Sequence, residues 1–393
     1  MLPEGWKRST VGECCAIKNQ LRLPISGEQR ALMQGEYPYY GPTGVLGYLD
    51  HYRIDEEVAL IGEDGDHFLK YRDREMTMLV QGKSSVNNHA HVVGNSNSCL
   101  AKWFYYWFMH RDITPMLSRQ GVGRYKLTKA GLEKLEVWLP PQREQQELTA
   151  ILTTWDEAIA ATEKLLSNSR QQRQALHDAL LSGRRRLSYG SIWQKHKLSD
   201  FIVESRTLGS PGDVAKKITV KLYGRGVVAK NEKRPGSDST QYYRRTAGQF
   251  IYSKLDFLNG AFGLIPEELD GFESTLDLPA FDFKPGVDPQ WFLYFVSRED
   301  FYLGHLGLAN GGRKARRVNP PDLLRVSVAV PPLKEQQAIA EAIDLAVADE
   351  KGWEQSLSLL QKQKRALMAQ LLTGKRRDRL VVTAADAATE AAP

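Results

Sequence analysis

The sequence predicts an α+β chain: two globular mixed α/β domains joined by two long helices, packed as an antiparallel coiled coil with pseudo-two-fold symmetry. Three observations predict it. Pro140-Pro141-Gln142-Arg143-Glu144-Gln145-Gln146 returns as Pro331-Pro332-Leu333-Lys334-Glu335-Gln336-Gln337, and Leu180-Leu181-Ser182-Gly183-Arg184-Arg185-Arg186 returns as Leu371-Leu372-Thr373-Gly374-Lys375-Arg376-Arg377. Both echoes are displaced by 191 positions, so the segment between them was duplicated without insertion or deletion. Within 142–182 Pro and Gly vanish and apolar or small residues recur in alternating steps of four and three, the signature of a helix with a partner along its length.

Five segments follow along the chain. Residues 1–138 are mixed, with strand-like runs such as Val58–Ile61 ending at Gly62 and Met76–Val80 ending at Gly82. The aromatic stretch Lys102–Met109 predicts a helix in this domain's core. Residues 139–187 hold the first long helix, with the seam Leu148, Leu152, Trp155, Ile159, Thr162, Leu166, Ser169, Arg173, Leu176, Leu180. About forty residues at about 1.5 Å each span roughly 60 Å. Gly183 is a natural stop, and the arginines after it suit the negative end of the helix dipole. Residues 188–329 return to mixed patterning, with a strand at Gln249–Ser253 and a helix opening at Pro289. Residues 330–380 repeat the long helix, with the seam Ile339, Ile343, Ala346, Glu350, Trp353, Leu357, Leu360, Lys364, Leu367, Leu371. Arg173 and Lys364 are equivalent polar seam positions, of the kind that fix register. So narrow a stripe is expected to face the other helix rather than its own domain. Residues 381–393 are Ala-rich and uncapped, and a disordered tail is expected.

The net charge of +6 and pI near 9.0 favour an anionic partner. Cys14, Cys15 and Cys99 show no zinc spacing and make no disulfide framework, and read as buried or idle thiols in a reducing compartment. Met1–Trp6 has no basic region followed by an apolar one, and no uncharged apolar run approaches the roughly 18 residues of a membrane span, so a cytoplasmic location without membrane contact is expected.

A search for catalytic chemistry mostly fails. Asn319-Pro320-Pro321-Asp322 resembles the Asn-Pro-Pro-aromatic motif of DNA amino-methyltransferases, but Asp322 replaces the aromatic and no Gly-rich loop suits S-adenosylmethionine. A Pro-Pro helix opening is the simpler reading. There is no P-loop. Gly62–Asp66 lacks the spacing of a calcium loop and reads as a tight acidic turn. Asn87-Asn88-His89-Ala90-His91 offers two His but no third metal ligand.

Both mixed domains instead carry basic, aromatic and Gly-rich loops. In the first, the candidate DNA-contacting residues are Tyr39, Tyr40, Thr43, Lys83, Asn87, Asn88, His89, Arg119, Arg124 and Lys126. In the second they are Tyr223, Arg225, Tyr242, Tyr243, Arg244, Arg245, Lys254, Asn310, Arg313, Lys314, Arg316 and Arg317. Lys and Arg neutralise phosphates, Gly lets backbone N–H groups approach them, and Arg, Asn and His read base edges.

With these residues in place, the chain resembles a specificity subunit of a type I restriction-modification system. The two Pro-Pro-x-(Arg/Lys)-Glu-Gln-Gln openings and the two Leu-Leu-(Ser/Thr)-Gly-basic ends carry the resemblance most strongly. Tyr39–Gly44, Leu60–Gly65, Asn87–His91, Gly248–Lys254 and Asn259–Gly263 add to it. The resemblance implies that each globular half is a target recognition domain reading one half of a split, asymmetric DNA sequence, with the helices as a ruler for the gap. It implies double-stranded DNA, two modification subunits and motor-nuclease restriction subunits as partners. S-adenosylmethionine is then bound by the modification subunits, while this chain binds no cofactor or metal and has no catalytic centre.

Overall fold

The computed structural model describes residues 2–120, 124–187, 192–231, 236–304, 309–310 and 317–376; the anticipated tail lies outside them. The chain divides into two compact units, Met1–Glu163 with Gln355–Pro393, and Lys164–Glu354. The long helices run over Gln142–Leu181 and Leu333–Leu371, 40 and 39 residues. Each contributes its two halves to different units. Both stop at a glycine in the left-handed region, Gly183 at φ +71 and Gly374 at φ +64, where a Cβ is penalised.

In the first unit, strand Lys7–Thr10 pairs antiparallel with Glu136–Leu139, the last strand before the first long helix. A four-stranded sheet follows in the order 16–17, 90–94, 58–62, 77–80. Its central strands, Val58–Gly62 and Ala90–Gly94, are buried throughout. The aromatic helix Ala101–Phe108 shares their core through Trp103, Phe104, Trp107 and Phe108. A second sheet orders strands 45–49, 34–40, 83–86 and 54–55, with a parallel pairing of Tyr39–Tyr40 against Ser85–Val86.

The second unit repeats this frame. Strand Gln194–Lys197 pairs with Ser327–Val330, and the four-stranded sheet runs 202–205, 280–283, 250–252, 262–264. In both sheets the first strand in the chain pairs with the last, and the last with the second. The aromatic helix Pro289–Val296 is capped by Asp288, whose carboxylate accepts from Trp291 N. Among the described residues the first unit's second sheet has no strand-for-strand match. In its stead are a three-stranded sheet (208–211, 241–244, 273–274) and the hairpin Ile218–Val220 with Val227–Ala229.

The repeated helix openings lock each long helix to its domain. Gln145 is fully buried; its Nε2 donates to Ser98 O and Pro140 O, and its Oε1 accepts from Leu100 N. Gln336 makes the same set with Gly286 O, Pro331 O and Asp288 N. Trp6 Nε1 donates to Glu144 and Trp193 Nε1 to Glu335, at 3.1 and 3.2 Å.

The helices are antiparallel within each unit. In the first, Leu148 and Leu152 share a core with Met368, Leu371 and Leu372, and four residues on Asp156 pairs with Lys364. In the second, Leu180 and Leu181 share a core with Ile339, Ala340 and Ile343, while Ser169 and Arg170 bond to Asp349 and Glu350. The expectation that the seam faces only the opposite helix needs correction. Its outer turns are walled by the domain cores as well, which is why Leu148, Leu152, Leu180, Ile339, Ile343 and Leu371 are fully buried. Leu166 is buried too, whereas Trp155, Ile159, Leu176, Trp353, Leu357, Leu360 and Leu367 stay half-buried. Two helices alone cannot enclose side chains of that size; a third layer does.

Candidate nucleic-acid interface

In the first unit, three loops singled out by sequence converge. Glu63 N donates to His89 O, Leu127 N to Glu63 O, and Gly65 N to Tyr125 O. At their meeting point Glu63 is gripped by Arg22 (2.7 Å) and Lys126 (3.2 Å), and His89 Nδ1 lies 2.9 Å from Asp64. Glu63 and then Asp64 hold the Lys126 ammonium above its ordinary pKa. Arg22 also donates to Asn88 O. Asn88 and His89 are exposed beside this knot. Below it His91 is buried: its Nε2 donates to Leu127 O and its Nδ1 accepts from Asn19 Nδ2, so both ring nitrogens are engaged within the core, and burial pushes its pKa down.

Neighbouring elements add an aromatic and cationic edge. Lys83 is exposed, its ammonium 5.0 Å from the Tyr52 ring and 5.8 Å from Tyr37, which meet edge-on. Arg119 lies over Tyr125 and donates to its phenol at 2.9 Å. Thr43 is exposed at a hairpin tip and Tyr40 is half-buried. Two assignments need correction. Tyr39 is buried with its hydroxyl on Leu23 O, and Asn87 is buried with its Oδ1 accepting from His89 N. Both shape the loops from within. The Arg124 side chain lies outside the described residues.

In the second unit the strongest display is the turn Leu222–Gly226. Tyr223 has φ +60, a conformation costly for a tyrosine, yet it is 73% exposed. The strain is held by Tyr223 N on Asn259 O and Gly224 N on Gly260 O. The ring is thereby presented to solvent with exposed Arg225 beside it. Tyr242 and Tyr243 are half-buried and Arg244 is exposed on the three-stranded sheet. Arg245 is wholly buried, a further correction: it donates to Ser274 Oγ, Ser205 O and Leu278 O, and burial pulls its pKa to about 10. Lys254 and Arg317 meet around Asp277, through Lys254 N on Asp277 O and a 3.0 Å ion pair. The Asn310 side chain and Arg313, Lys314 and Arg316 lie outside the described residues.

Sequence reasoning missed Arg22 and Tyr52. Both lie in loops without the Gly-rich signature, and only tertiary contact places them at the site. Asn319, in the methyltransferase-like tetrapeptide, opens the helix Pro320–Leu324, and its carbonyl accepts from Leu323 N.

Residues 3–168 match the type I restriction modification DNA specificity domain. The chain is also 27% identical over 359 residues to a putative type I restriction enzyme specificity subunit of Haemophilus influenzae, covering 86% of each chain. Over residues 3–168 the chain thus matches a DNA specificity domain, and over most of its length it is similar to a specificity subunit of such systems. The fold is shared with solved structures. The S subunit of a type I system from M. genitalium aligns with a TM-score of 0.59 at 12% identity, covering 94% of this chain and 97% of the other. A chain from a structure describing assembly and conformational transition of a type I system aligns at 0.54 and 14% identity, covering 96% and 100%. The chain carries its anchoring residues in the repeated frame and its unlike residues in the loops. Among the described residues no helix is long and apolar enough to cross a membrane.

Proposed function

We propose that this chain is the non-catalytic specificity subunit of a type I restriction-modification complex. Each domain reads one half of a bipartite, gapped, asymmetric duplex, and the paired helices set the gap. The observation that carries the reading is the exact reuse of the Gln145 and Gln336 anchors beneath unlike loops: one attachment, two reading surfaces. S-adenosylmethionine and the methyl transfer to adenine belong to two modification subunits, and motor-nuclease subunits complete the restricting assembly.

A duplicated cleft supports two identical partners. In the second unit a cavity of about 1050 Å³ is lined by Gln174, His177, Ser182, Tyr294 and Arg298 among others. In the first, a cavity of about 470 Å³ is lined by Arg365, Met368, Thr373, Tyr106 and His110 among others. Gln174, His177 and Ser182 are the repeat equivalents of Arg365, Met368 and Thr373. A shared docking position suits identical subunits placed by pseudo-two-fold symmetry.

The test is DNA binding by the chain with its modification partners. Tight, salt-sensitive binding to one gapped sequence is expected, and methylation without regard to sequence would sink the reading. Lengthening both long helices by one heptad is expected to widen the gap and leave both half-sites unchanged. Incubating the lone chain with labelled S-adenosylmethionine and DNA should transfer no label.

A further inference from the structure

Two of the chain's three cysteines are adjacent, and 83 residues separate Cys15 from Cys99. The fold gathers them. Cys14 ends the short helix Val11–Cys14, Cys15 caps it, and Cys99 lies just before the aromatic helix. Their three Sγ atoms all lie within 4.8 Å of one another, and those of Cys14 and Cys15 are 3.6 Å apart. Cys14 and Cys99 are buried, and Cys15 is partly open. Three sulfurs bound at about 2.3 Å to a common centre sit about 3.8–4.0 Å from each other, so little movement separates this cluster from a three-thiolate site.

The second unit supplies a contrast. The strand register places Phe201 and Ile202 opposite Cys14 and Cys15 in the repeat, and the aromatic helices place Val287 opposite Cys99. All three belong to the apolar core there. One junction is closed by apolar side chains, and the other by three smaller, soft ligands. The ligands also sit beside an attachment point. Ser96 Oγ donates to Cys14 O and accepts from Cys99 N, while Gln145 of the long helix accepts from Leu100 N.

We propose that Cys14, Cys15 and Cys99 bind one thiophilic d10 metal ion, of the zinc or cuprous class, which staples the seat of the first long helix. All-sulfur ligation selects this class. A cuprous ion is satisfied by three sulfurs, whereas zinc takes a fourth donor from the open side at Cys15.

The experiment uses the full chain, reduced and stripped by chelator. It is titrated in separate arms with Zn²⁺, with Cd²⁺ as a zinc analogue whose thiolate charge-transfer band lies in the ultraviolet, and anaerobically with Cu⁺, each against a competing chelator. One metal per chain and a thiolate-to-metal charge-transfer band are expected. Cys15→Ser, at the least buried thiol, should weaken binding at least about 100-fold. Cys99→Val, which installs the residue type found in the second unit, should abolish the band while keeping the fold. At metal about 100-fold above Kd, the first unit's Tm should rise by roughly 5–10 °C. The zinc and cuprous arms decide between the ions. No stoichiometric retention in any arm, uptake unchanged in Cys15→Ser, or closure of the thiols into a disulfide without metal uptake would each overturn the proposal.

Discussion

In the first unit Gln145 holds Ser98, Leu100 and Pro140; in the second, Gln336 holds Gly286, Asp288 and Pro331 through the same atoms. Around these shared bonds the two units diverge. The first wraps its basic residues around Glu63 and Asp64, leaving Lys83, Asn88, His89 and Arg119 outward. The second buries Arg245 as an internal strut and displays Tyr223 and Arg225 on a strained turn. The difference teaches that attachment and reading are separable: a buried, neutral, fully satisfied hydrogen-bond set fixes the frame, and charge placement is free to vary outside it.

The largest effect expected is from breaking the shared anchors. Gln145→Ala and Gln336→Ala each strand a buried N–H and two carbonyls, and each should cost about 3 kcal/mol in urea denaturation. Hydrogen exchange should locate the loss in the first unit for one and in the second for the other. A silent variant on either side breaks the equivalence.

The matched polar seam positions should prove unequal. Lys364 is buried, bonded to Asp156 and 5.8 Å from the Tyr106 ring, and Tyr106 itself donates to Asp156 at 2.6 Å. Arg173 pairs with Glu350 at 2.6 Å, but about a third of its side chain is exposed. Lys364→Ala should cost about 2 kcal/mol, since it leaves a half-buried carboxylate behind. Arg173→Ala should cost at most about 1 kcal/mol. Equal losses would show that the partners, and not burial, decide the outcome.

On the reading surfaces, Tyr223→Ala is expected to weaken DNA binding by about 1 kcal/mol in the assembled complex. Lys83→Ala and Arg225→Ala should each lower the salt slope by about one, measured by titration at several salt concentrations. Arg245→Ala should instead lower stability, and an intact Tm would reverse the assignment of that residue to the core.

The smallest effect concerns pH. Burial raises the pKa of Glu350, but hydrogen bonds from Arg173 and Arg170 outweigh it and leave the pKa below the ordinary 4.5. A depressed carboxyl stabilises the fold above its unfolded pKa, and that share is lost as pH falls through the folded one. Stability between pH 5 and pH 3 (about the range a carboxylate titrates in) should therefore fall less steeply in Glu350→Gln.

Much of the frame was legible locally. The heptad seam, the two Pro-Pro openings and the glycine stops are written in short-range patterns, and strands such as Val58–Gly62 follow from continuous apolar runs. The interface was legible only as residue types. Arg245 and Tyr39 read as surface groups because nothing local shows that Ser205 or Leu23 waits to satisfy them, and Asn87 because its burial, unlike its bond to the nearby His89 amide, is set by the fold. Gln145 stood in a motif, but its partner Leu100 is 45 residues away. The cysteine cluster left no spacing signal because it is assembled by the sheet, not by the chain.

The acids that meet the two seam cations occupy different rungs. Counting by the repeat, the position of Glu350 is held in the first helix by Ile159, and that of Asp156 in the second helix by Val347. A first helix paired with a copy of itself would set Arg173 against isoleucine, and a second helix paired with its own copy would set Lys364 against valine. Each homotypic pairing strands a cation, and only the mixed pair neutralises both. After duplication the halves thus acquired a lock and key that favours one intact chain over dimers of like halves.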